Sequence, residues 1–89
     1  MKIGLIGCGN MGGGMARRLL SRGTPALCYD PNDSIMQALK KRGCPVAQSA
    51  NEVASKVDIL FLSLPTAEIV ESVMTTIDNS IQLGCIVVD

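Results

Sequence analysis

The sequence predicts an α/β fold, a parallel sheet wound with helices on both faces, and three observations predict it. Short apolar runs alternate with helix-patterned stretches about five times, the order that builds strand–crossover–strand units. One run, Asp58-Ile59-Leu60-Phe61-Leu62-Ser63-Leu64, is apolar almost throughout from Ile59, as a strand covered on both faces must be. Between the first apolar run and the first helical pattern stands Gly7-Cys8-Gly9-Asn10-Met11-Gly12, a glycine turn in the strand-to-helix context that gives such a pattern meaning.

Taken in order, residues 2–6 read as a first buried strand. A helix follows from Asn10 to Ser21, with Gly23 as its C′ residue. Gly13 and Gly14 fall in its first turns, where each costs about 1 kcal/mol relative to alanine, so a close neighbour, strand or ligand, is expected beside them. Arg17, Arg18 and Arg22 read as a solvated face. Ala26-Leu27-Cys28-Tyr29 is the second strand, entered from Pro25 and closed by the turn Asp30-Pro31-Asn32. Asn32 or Asp33 caps a helix to about Arg42 whose apolar Ile35, Met36 and Leu39 share one face, and Gly43 ends it. Pro45-Val46-Ala47 is at best a short third strand.

Ser49 followed by Glu52 has the form of a capping box and starts a short helix burying Val53, Ala54 and Val57. The apolar run 58–64 is the fourth strand, stopped by Pro65. Thr66 caps a helix whose Ile69, Val70, Val73, Met74 and Ile77 form one stripe, ended by Asp78-Asn79-Ser80. Gly84-Cys85-Ile86-Val87-Val88 is the last strand, and the chain stops at Asp89. Right-handed crossovers then give a Rossmann-type sheet of about five strands in the order 3-2-1-4-5. A single domain over residues 1–89 is expected.

Composition bounds the function. Apolar residues are 47% of the chain, which excludes disorder. Lys+Arg and Asp+Glu are 8 each, so nothing attracts nucleic acid or an acidic membrane surface. The four cysteines, Cys8, Cys28, Cys44 and Cys85, show no C-x-x-C spacing, and there is no histidine; a metal site is not expected. Reduced, buried thiols in a cytoplasmic protein are, the alternative being a redox-sensitive Cys8 beside a helix N-terminus. The apolar run after Met1-Lys2 is too short for a signal peptide, and no stretch is long enough to span a bilayer.

The glycine turn carries the chemistry. Gly7 permits the tight reversal, Gly9 leaves the backbone bare for a pyrophosphate, and Gly12 lets the helix lie close to the strand it left. The first helical N–H groups lack internal partners and, with the helix dipole, form a socket for an anion. In such sheets the ligand lies beyond the carboxyl ends of the strands where their order reverses, here between the glycine turn and Leu64-Pro65-Thr66. Asp30 stands at the end of the second strand, where the adenosine ribose is held. These segments trace one groove for ribose, pyrophosphate and reactive ring. A carboxylate at Asp30 accepts from ribose hydroxyls and repels a 2′-phosphate, and Pro31 and Asn32 offer no arginine, so NAD is expected over NADP. The expected cofactor residues are Gly7, Cys8, Gly9, Asn10, Met11, Gly12, Asp30, Pro31, Asn32, Leu64, Pro65 and Thr66. The plainer reading of Asp30 is a turn aspartate before proline.

The glycine turn, Met15-Ala16, Leu19-Leu20, Tyr29-Asp30, Leu39, Gly43, Ser49 with Glu52, the run from Asp58 to Pro65, Val70, Val73, and Gly84 with Val87-Val88-Asp89 together resemble, in order, the start of the β-hydroxyacid dehydrogenases, the 3-hydroxyisobutyrate and 6-phosphogluconate dehydrogenase family. The resemblance implies hydride transfer between NAD(P) and a small 3-hydroxy acid, pyrophosphate at the glycine turn, and Leu64 and Pro65, with Thr66, flanking the nicotinamide. Family enzymes place a serine-threonine substrate segment just after the position of Asp89 and a catalytic lysine in a helical second domain. Lys40, Lys41 and Lys56 fall on predicted helix surfaces and Lys2 at a strand edge, so none substitutes and no catalytic residue is assigned. The chain is therefore expected to be the cofactor-binding part of such an enzyme, without turnover by itself, with a dinucleotide as ligand and a C-terminal helical domain or a second copy as partner. The alternatives are a non-catalytic nucleotide-binding or interaction module pairing through its last strand, a methyl transferase using S-adenosylmethionine, which Met11-Gly12 and Leu64-Pro65 disfavour, and a pyrroline-carboxylate reductase, which Asp30 disfavours.

Overall fold

The computed structural model describes residues 1–88; Asp89, the last residue of the resemblance, lies outside them. The elements alternate as β1 (Ile3–Ile6), α1 (Asn10–Ser21), β2 (Leu27–Tyr29), α2 (Asp33–Lys41), α3 (Ala50–Lys56), β3 (Ile59–Leu62), α4 (Ala67–Ile77) and β4 (Ile86–Val88). The strands form one parallel sheet in the order β2-β1-β3-β4. This is the Rossmann-type, doubly wound α/β architecture expected. Among the described residues no helix is long and apolar enough to cross a membrane.

The segment Pro45-Val46-Ala47 differs from expectation. It forms not a third strand but a single parallel bridge, Cys28 to Val46, on the far side of β2. The Cys28 amide donates to the Pro45 carbonyl (3.0 Å) and the Ala47 amide to the Cys28 carbonyl (2.8 Å). Pro45 has no N–H to extend the ladder, and α3 begins at Ala50. With Val46 counted beyond β2 the spatial order is the expected 3-2-1-4-5, one strand being reduced to a bridge. The apolar run 58–64 also stops short, its ladder closing at Leu62.

The helix ends follow from local chemistry. Gly23 (φ 79°) closes α1: its amide donates to Leu20 O (3.1 Å) and that of Thr24 to Leu19 O (3.0 Å), the paired bonds of a Schellman turn. Gly43 (φ 88°) repeats the arrangement after α2, its amide bonding to Lys40 O and that of Cys44 to Leu39 O, both at 3.0 Å. At the starts, the Asn32 side chain accepts from the Ser34 and Ile35 amides, Ser49 from Glu52 and Thr66 from Ile69. The Glu52 carboxylate reaches back to the Gln48 amide (2.9 Å) rather than to Ser49, and also pairs with Lys56 at 3.0 Å.

Two apolar layers flank the sheet. On one face Ile6, Leu60 and Leu62 are buried with Val53, Ala54, Val57 and Ile77, so α3 and α4 pack there. On the other, Leu5 and Cys28 are buried with Ala16, Leu39, Ala26 and Cys44 beneath α1 and α2. Gly4 explains how closely α3 approaches β1: a Cβ there would meet Val53 Cγ1 at 2.6 Å and Val57 Cγ1 at 2.9 Å. Arg17, Arg18 and Arg22 are exposed, as expected, and so are Lys2, Lys40, Lys41 and Lys56. The cysteines are all free, with Cys8, Cys28 and Cys44 buried and Cys85 half-buried.

Candidate functional site

The glycine turn leaves β1 at Gly7, which adopts φ 94°, a conformation only glycine takes readily. A Cβ at Gly7 would lie 2.1 Å from the Ser63 carbonyl, and one at Gly12 only 1.9 Å from the Gly7 carbonyl. Both glycines are thus required by the chain's own packing. Gly9 differs, because a Cβ there would meet nothing within 4 Å. Its bareness serves no contact inside the protein and leaves main chain open toward solvent. Gly13 is held by the Cys8 carbonyl, 2.9 Å from an added Cβ, whereas Gly14 would meet only the mobile end of Arg17 at 3.8 Å. The close neighbour expected beside both glycines is therefore backbone at Gly13 and is lacking at Gly14.

α1 has Gly9 as its N-cap, with no side-chain cap and no acidic residue in its first turn, unlike α2, α3 and α4, each of which is capped by a side chain. The Gly13 amide bonds to Gly9 O (2.7 Å), while among the described residues the amides of Gly9, Asn10 and Met11 have no acceptor within the chain. Unpartnered N–H groups at a helix start attract an anion.

A groove of about 510 Å³ opens over this turn. One wall is Gly7, Gly9, Asn10 and Met11, one end is Asp30 and Pro31, and the opposite wall is Ser63, Leu64, Pro65 and Ile69. The structure thus brings together the three segments that the sequence placed around one cleft. Of the remaining expected residues, Cys8 is buried beneath the turn, Gly12 packs inside α1, and Asn32 and Thr66 spend their side chains capping α2 and α4. Ser63 and Ile69 were not anticipated in the groove. Ser63 was legible as the one hydroxyl in an apolar run; Ile69 was read as core, yet it is 40% exposed. A second cavity, about 410 Å³, lies by Met1, Lys2, Thr24 and Lys56 at the amino ends of the strands. It contains no part of the glycine turn.

Asp30 closes the groove's outer end. Its Oδ2 accepts from the Cys8 amide at 2.9 Å, and its Oδ1 from the Asn32 amide at 2.8 Å. The Asp30 amide donates to the Met36 sulfur at 3.3 Å. Behind the turn, the Cys8 thiol donates to the Tyr29 carbonyl at 3.6 Å. A thiol contact with Cys28 holds Cys8 below its ordinary value against burial and the Asp30 carboxylate, while the same contact, with burial, pushes Cys28 far up. Cys8 is only 4% exposed, so its thiol faces the core and not the groove. Among the described residues no cluster of three or more His, Cys, Asp or Glu side chains could hold a metal.

The arrangement offers free amides, a carboxylate and apolar walls along one cleft, the donor and acceptor set that a dinucleotide requires. Comparison with known proteins agrees. The family described as the NAD binding domain of 6-phosphogluconate dehydrogenase matches residues 2–89. The 2-(hydroxymethyl)glutarate dehydrogenase of Eubacterium barkeri is 36% identical over 100% of this chain and 31% of its own length. The mitochondrial 3-hydroxyisobutyrate dehydrogenase of Mus musculus is 40% identical over 73% of this chain and 19% of its own. Among solved structures, Mycobacterium tuberculosis 3-hydroxyisobutyrate dehydrogenase with L-serine superposes with a TM-score of 0.91 at 27% identity, over 97% of this chain and 30% of that one. The chain thus spans about a third or less of the length of these relatives.

Proposed function

The chain belongs to the family of NAD-binding domains typified by that of 6-phosphogluconate dehydrogenase, and from that premise we propose that its groove holds NAD for an oxidoreductase acting on a small 3-hydroxy acid. The single observation that carries the placement is Gly9, which lines the groove and at which an added Cβ would meet no protein atom within 4 Å. Pyrophosphate lies against the amides of Gly9, Asn10 and Met11. Asp30 faces the adenosine ribose, with Pro31 and Asn32 shaping the loop beyond it. Leu64 and Pro65 border the nicotinamide, and Thr66 fixes the start of α4 behind them. Gly7, Cys8 and Gly12 set the shape of the turn from within. When bound, the nicotinamide supplies or accepts a hydride.

The same reading assigns no catalytic side chain to this stretch. Lys40, Lys41 and Lys56 are exposed on helices and line no part of the groove. Turnover then needs residues from the longer relatives' remaining length, in a helical substrate domain, or from a second copy. Incubation of this chain with NAD and 3-hydroxyisobutyrate is expected to give no NADH absorbance. A cytoplasmic location is part of the proposal, supported by the unpaired thiols.

Titration with NADH tests the assignment: the nicotinamide fluorescence is expected to change and saturate. A flat signal, confirmed by calorimetry with NAD, would sink it. Cofactor preference is a separate question. NAD is expected to bind more tightly than NADP because the Asp30 carboxylate repels a 2′-phosphate. Asp30→Ala is expected to weaken NAD binding more than NADP binding, and equal losses for the two would remove Asp30 from selectivity.

A further inference from the structure

We infer that Asp30 is a positioning residue for the glycine turn, holding it in its anion-receiving shape before any ligand arrives. The observation is that both carboxylate oxygens are already engaged by main chain, Oδ2 by the Cys8 amide at 2.9 Å and Oδ1 by the Asn32 amide at 2.8 Å. The Cys8 bond joins segments 22 residues apart, while the Asn32 bond, two residues away, fixes the carboxylate in its own turn. A backbone bond runs alongside them, from the Gly7 amide to the Tyr29 carbonyl at 2.9 Å. The turn is thus tied to the end of β2 at two consecutive residues, one tie by main chain and one by the Asp30 side chain.

The consequence is a division of labour among amides. The Cys8 N–H points back to Asp30 and is withdrawn from the ligand, while those of Gly9, Asn10 and Met11 are left without partners. With φ 94° at Gly7, the turn has conformational freedom that the Cys8 bond removes. An ionised carboxylate offers about four acceptor sites. Two are occupied by backbone, so two remain for ribose hydroxyls, and bracing does not compete with recognition. The Cys8 and Asn32 amides bond to different oxygens of Asp30; asparagine would face one of them with an NH2 donor instead of an acceptor. A charged acceptor on a backbone N–H also makes a stronger bond than a neutral one.

The functional half of this inference rests on the dinucleotide reading; the structural half does not. Amide hydrogen exchange of the ligand-free chain tests the latter. In Asp30→Ala the Cys8 amide is expected to exchange about tenfold faster, the scale of one lost charge-assisted bond, while the core amides of Leu60 and Val53 keep their protection. Asp30→Asn is expected to fall between Ala and the parent. Unchanged Cys8 exchange in Asp30→Ala overturns the inference. The functional half is read with inorganic pyrophosphate, a probe without ribose, by NMR titration of the Gly9 and Asn10 amides. If Asp30 braces the turn, Asp30→Ala weakens pyrophosphate as well as NAD; if it weakens NAD alone, Asp30 acts only on the ribose and the inference fails. Should the parent chain bind neither probe, the dinucleotide reading fails and the exchange result still decides the brace.

Discussion

On one face of the sheet Ile6, Leu60 and Leu62 are sealed beneath α3 and α4, and the cover reaches as far as Val87 on β4. On the other face α1 and α2 cover Leu5 and Cys28, but the register carries the apolar rows on without them. Ile3 leads to Ile59 and Ile86, and Leu5 to Phe61 and Val88. At β4 those rows end in the open, with Ile86 58% and Val88 41% exposed. A glycine turn repeats the contrast on a smaller scale. Gly7 and Gly12 are filled around to the limit, whereas Gly9 has empty space beside it. Composition cannot tell these cases apart, since a buried and a bare valine read alike. Occupied space is where stability resides, and vacant space is where something else can be received.

That contrast can be broken or sharpened by substitution. The largest effect is expected on the sealed face: Leu60→Ala, at a fully buried position, should cost about 2–5 kcal/mol, much of the reserve of a small domain, read from the urea midpoint. Gly12→Ala should follow at about 1–3 kcal/mol, because the new methyl and the Gly7 carbonyl cannot share 1.9 Å. Gly9→Ala is the opposing control. It should cost less than about 1 kcal/mol at this N-cap position while weakening NAD binding; a stability loss matching Gly12→Ala would erase the distinction between the two glycines. On the bare face Val88→Lys should shift stability by no more than about 0.5 kcal/mol and raise solubility by charging an edge strand. A loss as large as that of Leu60→Ala would show the face to be covered in solution.

The smallest effect concerns Glu52, which is half-buried at the start of α3. The Gln48 amide, with help from Lys56, holds its carboxyl below the ordinary glutamate value. A carboxylate whose folded value is lowered stabilises above its unfolded value and loses that contribution as pH falls through the folded one. Glu52→Gln should therefore lower stability slightly at neutral pH and converge with the parent at acid pH, which flattens that part of the acid limb. An unchanged acid limb would mean the reach-back to Gln48 is lost in solution.

Periodicity and punctuation made most of the fold legible. Gly23 and Gly43 announced their helix ends because only a left-handed residue closes both bonds of the turn, and Ser49 and Thr66 announced starts because a side-chain oxygen must meet an orphan amide. What could not be read depends on distance through space. Pro45-Val46-Ala47 has strand composition, but pairing needs a neighbour and a free N–H, and it obtains one bridge. Ile69 belongs to the same stripe as Val73 and Ile77; only the placement of α4 over Leu64 shows that this first turn overhangs the groove. Spacing alone marked Asp30 as the expected ribose partner, a role that belongs to the proposal. Its grip on the Cys8 amide was not legible, because nothing in the two local sequences refers to the other. The resemblance located the groove by pattern, and the coordinates add which glycine in it faces outward.

The lone bridge at Val46 has a consequence for assembly. A strand seeking to join this sheet needs a run of alternating donors and acceptors to copy. At the β2 flank it would find a proline and a stretch that pairs once and turns away into α3. At the β4 flank it would find a regular ladder with apolar side chains standing ready. Growth of the sheet is in that sense directional: recruitment of further backbone is blunted at one margin and invited at the other.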